Sequence, residues 1–174
     1  MEDAVPFGSG EYLVFLGLLL LARGMDFLST WVATPNLVLE ANPIAKRLGW
    51  KWGVPVNLAV CFGFALYPLP AIIIATTSLL VAARNFQGAW LMRSMGEWAY
   101  RTWMTERLEA TPRWLFLGCL LGQTVVSGGI GVALVLFGGN RPVPVGVGIG
   151  LVLYAVAVTL FTLISLWRGR RATR

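Results

Sequence analysis

Arg23, Asp26, Ser29, Thr30 and Thr34 recur at spacings of three and four residues inside an otherwise apolar stretch, "ARGMDFLSTWVAT". On a helix such positions share one face, so they form a polar stripe of one cation, one carboxylate and three hydroxyls. Each charge near mid-membrane costs about 2.5–3.5 kcal/mol on an insertion scale before it finds a partner. The stripe must therefore face the interior of a bundle or a water-filled cavity. Arg23 and Asp26 can pair, and the hydroxyls can complete the hydrogen bonding or bond back to helix carbonyls. Two roles are open for this stripe. One is a structural ion pair that locks helices in register; the other is an oxygen-rich site for a cation, a proton or a small polar solute.

The next stretch, "TPNLVLEANP", adds Glu40 and Asn42. Pro35 and Pro43 bias Thr34 and Asn42 away from helical dihedrals, so the helix should break at each. Freed carbonyls and the Glu40 carboxylate could coordinate a hard cation there, or Glu40 and Asn42 could simply cap local backbone. Residues 34–53 read either as a loop or as a re-entrant segment. Further along, Asn57 and the Gln123/Ser127 pair, four apart on one face, are bundle-facing polar groups that could meet the stripe or act as helix glue.

The combination of "DFLST", "EANP" and then "ARNF" resembles a family of short prokaryotic multispanning membrane proteins. It is one of the domain-of-unknown-function families, with an Asp-x-x-Ser/Thr-Thr motif followed by Glu-x-Asn-Pro. The resemblance covers residues 20–86. It implies that Asp26, Ser29, Thr30, Glu40, Asn42 and Pro43 belong together, and it supplies no activity. Within that span Arg23 is matched by neither motif, and the tryptophan-rich stretch after residue 86 lies beyond it.

The elements that must position these residues follow from composition. The chain has 174 residues, 57% of them hydrophobic and 13% charged, which places it in the membrane class as a single domain, 1–174. A spanning helix needs about 20 mostly apolar residues, and four stretches qualify: 11–33, 54–83, 114–137 and 143–167. The first is preceded by Glu2, Asp3 and Glu11 rather than by a basic region, so it is read as a mature helix and not a cleavable signal. Pro68 and Pro70 should kink the second.

Between the second and third crossings, the charged connector 84–113 reads as a cytoplasmic helix at the interface. Arg84, Trp90, Arg93, Trp98, Arg101 and Trp103 are its lipid-interface residues, with the tryptophans at headgroup depth. Arg93, Glu97 and Arg101 share a face and can pair along it. The expected fold is thus an all-α integral membrane protein: a four-helix transmembrane bundle with one cytoplasmic interfacial helix.

With both termini in the cytoplasm, nine basic residues lie inside and Lys46, Arg47, Lys51 and Arg141 outside, Arg23 being set aside. The expected location is the cell (inner) membrane. The formal charge of +6 is then read as orientation and contact with anionic lipids at the cytoplasmic face of the bilayer, not as nucleic-acid binding.

Several function classes drop out. Histidine is absent, and with it the commonest general base and the usual haem and zinc ligand. The only lysines, Lys46 and Lys51, lie in a polar connection and offer no buried Schiff-base amine. Cys61 and Cys119 sit in apolar segments, as small hydrophobes. Gly146, Gly148 and Gly150 lack the strand, spacing and lysine of a nucleotide loop. No cofactor is expected. Gly118 and Gly122, and Ser127 and Gly131, allow close helix packing, so a homo-oligomer could supply the wall that four helices alone make thin.

The leading expectation is a small membrane protein that binds or transports a cation, proton or polar solute at Arg23, Asp26, Ser29, Thr30, Thr34, Glu40, Asn42, Asn57 and Gln123. One alternative is an intramembrane enzyme acting on a lipid or hydrophobic substrate. Asp26 and Glu40 would then have to come together by a fold-back at Pro35, since a straight helix separates them by roughly 20 Å at about 1.5 Å per residue. The other alternative is a scaffold subunit of a membrane complex.

Overall fold

The computed structural model describes residues 4–172, with side chains through Ile164. The described residues form six helices: α1 (Gly10–Ala33), α2 (Pro43–Phe64), α3 (Pro68–Met95), α4 (Glu97–Ala110), α5 (Arg113–Phe137) and α6 (Pro142–Ala172). Four of them, α1, α3, α5 and α6 through Ile164, are long and apolar enough to cross a membrane. The all-α membrane bundle expected from composition is the architecture observed.

The second expected crossing, 54–83, is divided. Its residues belong to two helices that meet at a tight turn around Ala65–Tyr67. Pro68 does not kink a continuous helix; it starts α3 at the first helical position, where its missing N–H is no loss. Tyr67, the residue before it, is extended at φ −125° and ψ 105°. The helix then runs on past Ala83 to Met95, so Arg84, Trp90 and Arg93 stand on α3 and not on a separate connector.

Gly96 ends α3 with φ 82° and ψ 150°, a conformation that favours glycine, and α4 begins at Glu97. The Arg93/Glu97/Arg101 row is broken there. Arg93 lies over the Trp31 ring at 5.9 Å and Arg101 over Trp98 at 5.8 Å. Neither pairs with Glu97, and among the described residues the one ion pair is Arg23–Asp26.

Chain direction follows from the contacts. The α2 helix runs back along α1: Trp50 Nε1 donates to the Pro35 carbonyl at 2.8 Å, Asn57 meets Arg23, and Tyr12 Oη donates to the Phe62 carbonyl at 3.4 Å. At the far end the Val5 amide donates to the Leu66 carbonyl at 2.8 Å. The α3 helix then runs parallel to α1, with Ser78 beside Arg23 and Asn85 beside Ser29 and Thr30. Of residues 34–53, only 34–42 form a loop; the rest belongs to α2, which bends at Gly49 (φ 59°).

The core between α1, α2 and α3 is built from Tyr12, Leu19, Ala22, Cys61, Ala65, Ala71 and Ala75. Cys61 and Cys119 are both free thiols; Cys61 is buried as expected, whereas Cys119 faces outward on α5.

Glycines join α6 to its neighbours. A Cβ on Gly146 would stand 2.8 Å from Ile72 Cγ2, and one on Gly150 would stand 2.8 Å from Thr76 Cβ. This packs α6 parallel to α3. The α5–α6 hairpin is antiparallel, with Gly131 against Gly148 and Thr124 Oγ1 2.6 Å from Thr159 Oγ1. A Cβ on Gly131 would lie 2.6 Å from the Gly148 carbonyl oxygen. Substituting Gly131→Val should therefore destabilise the protein by about 1–3 kcal/mol or more through overpacking against rigid backbone. The same change at Gly122, which no neighbour approaches, should not. Thermal unfolding of the two variants in detergent compares them.

Helices α1, α3 and α6 thus point one way, and α2 and α5 the other. The first described residues and the end of α6 lie at opposite ends of the bundle.

Candidate functional site

Arg23 sits at the junction of α1, α2 and α3 and is bonded to all three. Its Nη1 donates to Asp26 Oδ2 at 2.8 Å and to Ser78 Oγ at 3.0 Å, and its Nε donates to Asn57 Oδ1 at 2.6 Å. Nη2 donates to the same Asn57 oxygen. Asn57 is held in turn by donating its Nδ2 to the Gly53 carbonyl at 2.7 Å, one turn earlier on α2. The fork of the guanidinium suits this task, because it presents several donors in fixed directions where a lysine would present a point charge. The Phe27 ring, 6.0 Å from the guanidinium carbon, closes one side.

Ser29 and Thr30 extend the cluster by one turn. Ser29 Oγ is fully buried, donates to the Asp26 carbonyl at 2.8 Å and accepts from Asn85 Nδ2 at 3.3 Å. Asn85 also donates to Thr30 Oγ1 at 3.3 Å. The stripe therefore works as an interface: Arg23, Ser29 and Thr30 on α1 are each answered by a polar group on α2 or α3.

Thr34 leaves the stripe. As the C-cap of α1 it is turned toward α4, where its hydroxyl donates to Glu97 Oε2 at 2.7 Å. The Glu97 carboxylate also accepts from the Asn36 amide at 2.8 Å, Asn36 Nδ2 at 3.0 Å and the Val38 amide at 3.0 Å. These bonds flank Leu37, a non-glycine residue in the left-handed region at φ 55°, and hold a turn that would otherwise be strained. Burial pushes the Glu97 carboxyl up, but the four hydrogen bonds outweigh it and hold the group below the usual carboxylate range.

Glu40 and Asn42 are spent on local backbone. The Asn42 amide donates to Glu40 Oε1 at 2.7 Å, and the Asn42 side chain caps α2 by accepting from the Ile44 amide at 2.9 Å. This is the capping role open to them from sequence. The chain does turn back after Pro35, where Trp50 Nε1 bonds the Pro35 carbonyl and α2 returns along α1.

Gln123 does not join the cluster. It is exposed on α5, with its Nε2 3.5 Å from Tyr154 Oη on α6. Arg84, Trp90, Arg93, Trp98 and Arg101 are all exposed, and Trp103 is half-buried against Tyr100.

Ser78, Asn85 and Glu97 were not singled out from sequence. Ser78 and Asn85 lie seven apart on α3, on the same face, and that spacing inside an apolar helix was the available signal. Glu97 shares by spacing a helical face with Arg93 and Arg101, and the break at Gly96 takes it out of that row.

Among the described residues, no three His, Cys, Asp or Glu side chains gather as a metal site would require. The chain matches no protein-family model, no curated protein and no solved structure.

Proposed function

We propose that the protein binds a proton or a monovalent cation at Asp26, within the three-helix polar cluster, as part of moving charge or a small polar solute across the membrane. The observation that carries this reading is the Arg23–Asp26 pair itself, held at bundle depth by Asn57 of α2 and Ser78 of α3. An intramembrane ion pair answered from two other helices is costly to build and couples three helices to one charge.

The balance of charge favours the smallest ligands. The ion pair holds a single carboxylate, that of Asp26, and a single proton or monovalent ion neutralises it. A divalent ion would need six or more oxygen ligands beside a fixed guanidinium, which repels it. Protonation of Asp26 would release Arg23 from its carboxylate partner and loosen α1 from α2 and α3, which is how a bound proton could be read as movement.

Thermal unfolding and tryptophan fluorescence of the detergent-purified protein, across pH and a panel of cations, test the reading for wild type and Asp26→Asn. A ligand at about 100 times its dissociation constant adds roughly 2.7 kcal/mol. The expected result is a pH- or cation-linked shift in wild type that Asp26→Asn lacks, followed by ligand flux in vesicles that the same substitution abolishes. Identical profiles for both proteins would remove Asp26 as the binding group.

A further inference from the structure

The chain directions gather the basic residues in a way the linear sequence conceals. Helices α1, α3 and α6 finish, and α2 and α5 start, at one end of the bundle. Ten Lys and Arg side chains are described, and eight of them belong to that end: Lys46, Arg47 and Lys51 on α2, Arg84 and Arg93 on α3, Arg101 and Arg107 on α4, and Arg113 opening α5. Arg141 alone stands at the opposite end, and Arg23 lies between. Arg168, Arg170 and Arg171 lie in the last turns of α6, beyond the described side chains.

Tryptophan is distributed in the same way. Trp31, Trp50, Trp52, Trp90, Trp98, Trp103 and Trp114 all occur at the basic end. The opposite end has none among the described residues and presents Phe7, Tyr67 and Phe137 instead. Trp52, Trp90, Trp98 and Trp114 are each more than 60% exposed, which places amphipathic rings outward beside the cations. A groove of about 520 Å³ between Arg47 and Trp52, floored by Pro43, Ile44 and Leu48, combines one cation with apolar walls at this level.

We infer that this end of the bundle faces the anionic cytoplasmic leaflet and that its exposed Lys, Arg and Trp side chains bind acidic phospholipid headgroups. Charge complementarity selects the occupant: short loops rich in Lys and Arg stay on the cytoplasmic side, and each such residue is attracted to an anionic surface. Tryptophan belongs at the same depth. The inference also makes α2 a fifth crossing. From Trp50 to Phe64 it covers about 22 Å at 1.5 Å per residue, short for a bilayer but matched by running beside α1 from Phe27 to Tyr12. The N-terminus then lies outside and the C-terminus inside, in place of two cytoplasmic termini. Lys46, Arg47 and Lys51, which an even number of crossings strands on the outer side, join the other basic residues.

Two measurements on the full chain test this. Variants Lys46→Cys and Arg141→Cys, each combined with Cys119→Ser so that the buried Cys61 is the one other thiol, are treated in intact cells with a membrane-impermeant maleimide. Arg141→Cys should label at once, and Lys46→Cys only after permeabilisation. The purified protein is then placed in vesicles of brominated phosphatidylglycerol or brominated phosphatidylcholine. Tryptophan quenching should show a several-fold preference for phosphatidylglycerol, falling toward parity in high salt and in Lys46→Ser/Arg47→Ser/Lys51→Ser, whose three positions are exposed and outside the core. Labelling of Lys46→Cys in intact cells overturns the inference, and so does equal quenching of wild type by the two lipids.

Discussion

Arg23→Ala should lower the free energy of unfolding by about 3–5 kcal/mol, the cost of leaving a buried charge without its partner. The substitution strips Asp26 of its ion pair, removes both donors to Asn57 Oδ1 and frees Ser78. An ordinary interhelical hydrogen bond in a membrane protein contributes only about 0.6 kcal/mol, so the stranded carboxylate and not the lost hydrogen bonds sets the size of the effect. Changing Arg23 and Asp26 together to alanine removes both charges at once and should cost much less than Arg23→Ala alone. Unfolding in mixed detergent micelles, measured for both single variants and the double, gives the coupling directly. Equal losses for single and double variants would show that the pair is not a unit.

Glu97→Ala should destabilise the protein by about 3 kcal/mol, because four donors lose a charged acceptor in a place that solvent barely reaches. Glu97 is 9% exposed, and the donors it serves span the C-cap of α1 and the loop that leads to α2. Its contribution should depend on pH. Since the folded protein holds this carboxyl below its ordinary value of 4.5, the stabilisation is complete above that pH. It disappears as pH falls through the lower value of the folded state. Glu97→Gln keeps the shape but turns an amide N–H₂ toward donors, so wild type should exceed it in stability at neutral pH and converge with it in acid. A difference between the two that stays constant from neutral to acid pH would mean that the charge is not what holds the loop.

The consequences of the two substitutions should differ in reach. Arg23 joins α1, α2 and α3 within the bundle, so its loss loosens the helices against one another. Glu97 secures only the basic end, where α1 turns into the loop and α4 begins. Limited proteolysis of Glu97→Ala should cut within 34–42 or near Gly96 while leaving the helices intact, a pattern Arg23→Ala should not share.

Apolar run length and helical spacing were enough to establish a membrane protein, the long apolar helices α1, α5 and α6 and the pairing of Arg23 with Asp26. Those are local properties: twenty apolar residues demand a bilayer-length helix, and groups three apart on a helix meet regardless of the rest of the chain. The N-cap at Asn42 and the local use of Glu40 were legible for the same reason, since each bonds to backbone within three residues. Asn57 was legible only as a polar group needing a partner. That the partner is Arg23, 34 residues away, depended on α2 running back along α1, and this depended on the turn at Ala65–Tyr67 that divides the apolar stretch 54–83. Hydropathy averages over such a turn and cannot register it, because both halves are equally apolar. Ser78, Asn85 and Glu97 found their partners in the same way, through elements brought side by side. The end of the bundle to which each basic residue belongs was decided by tertiary structure too, since one added reversal of direction moves every charge that follows it to the other face.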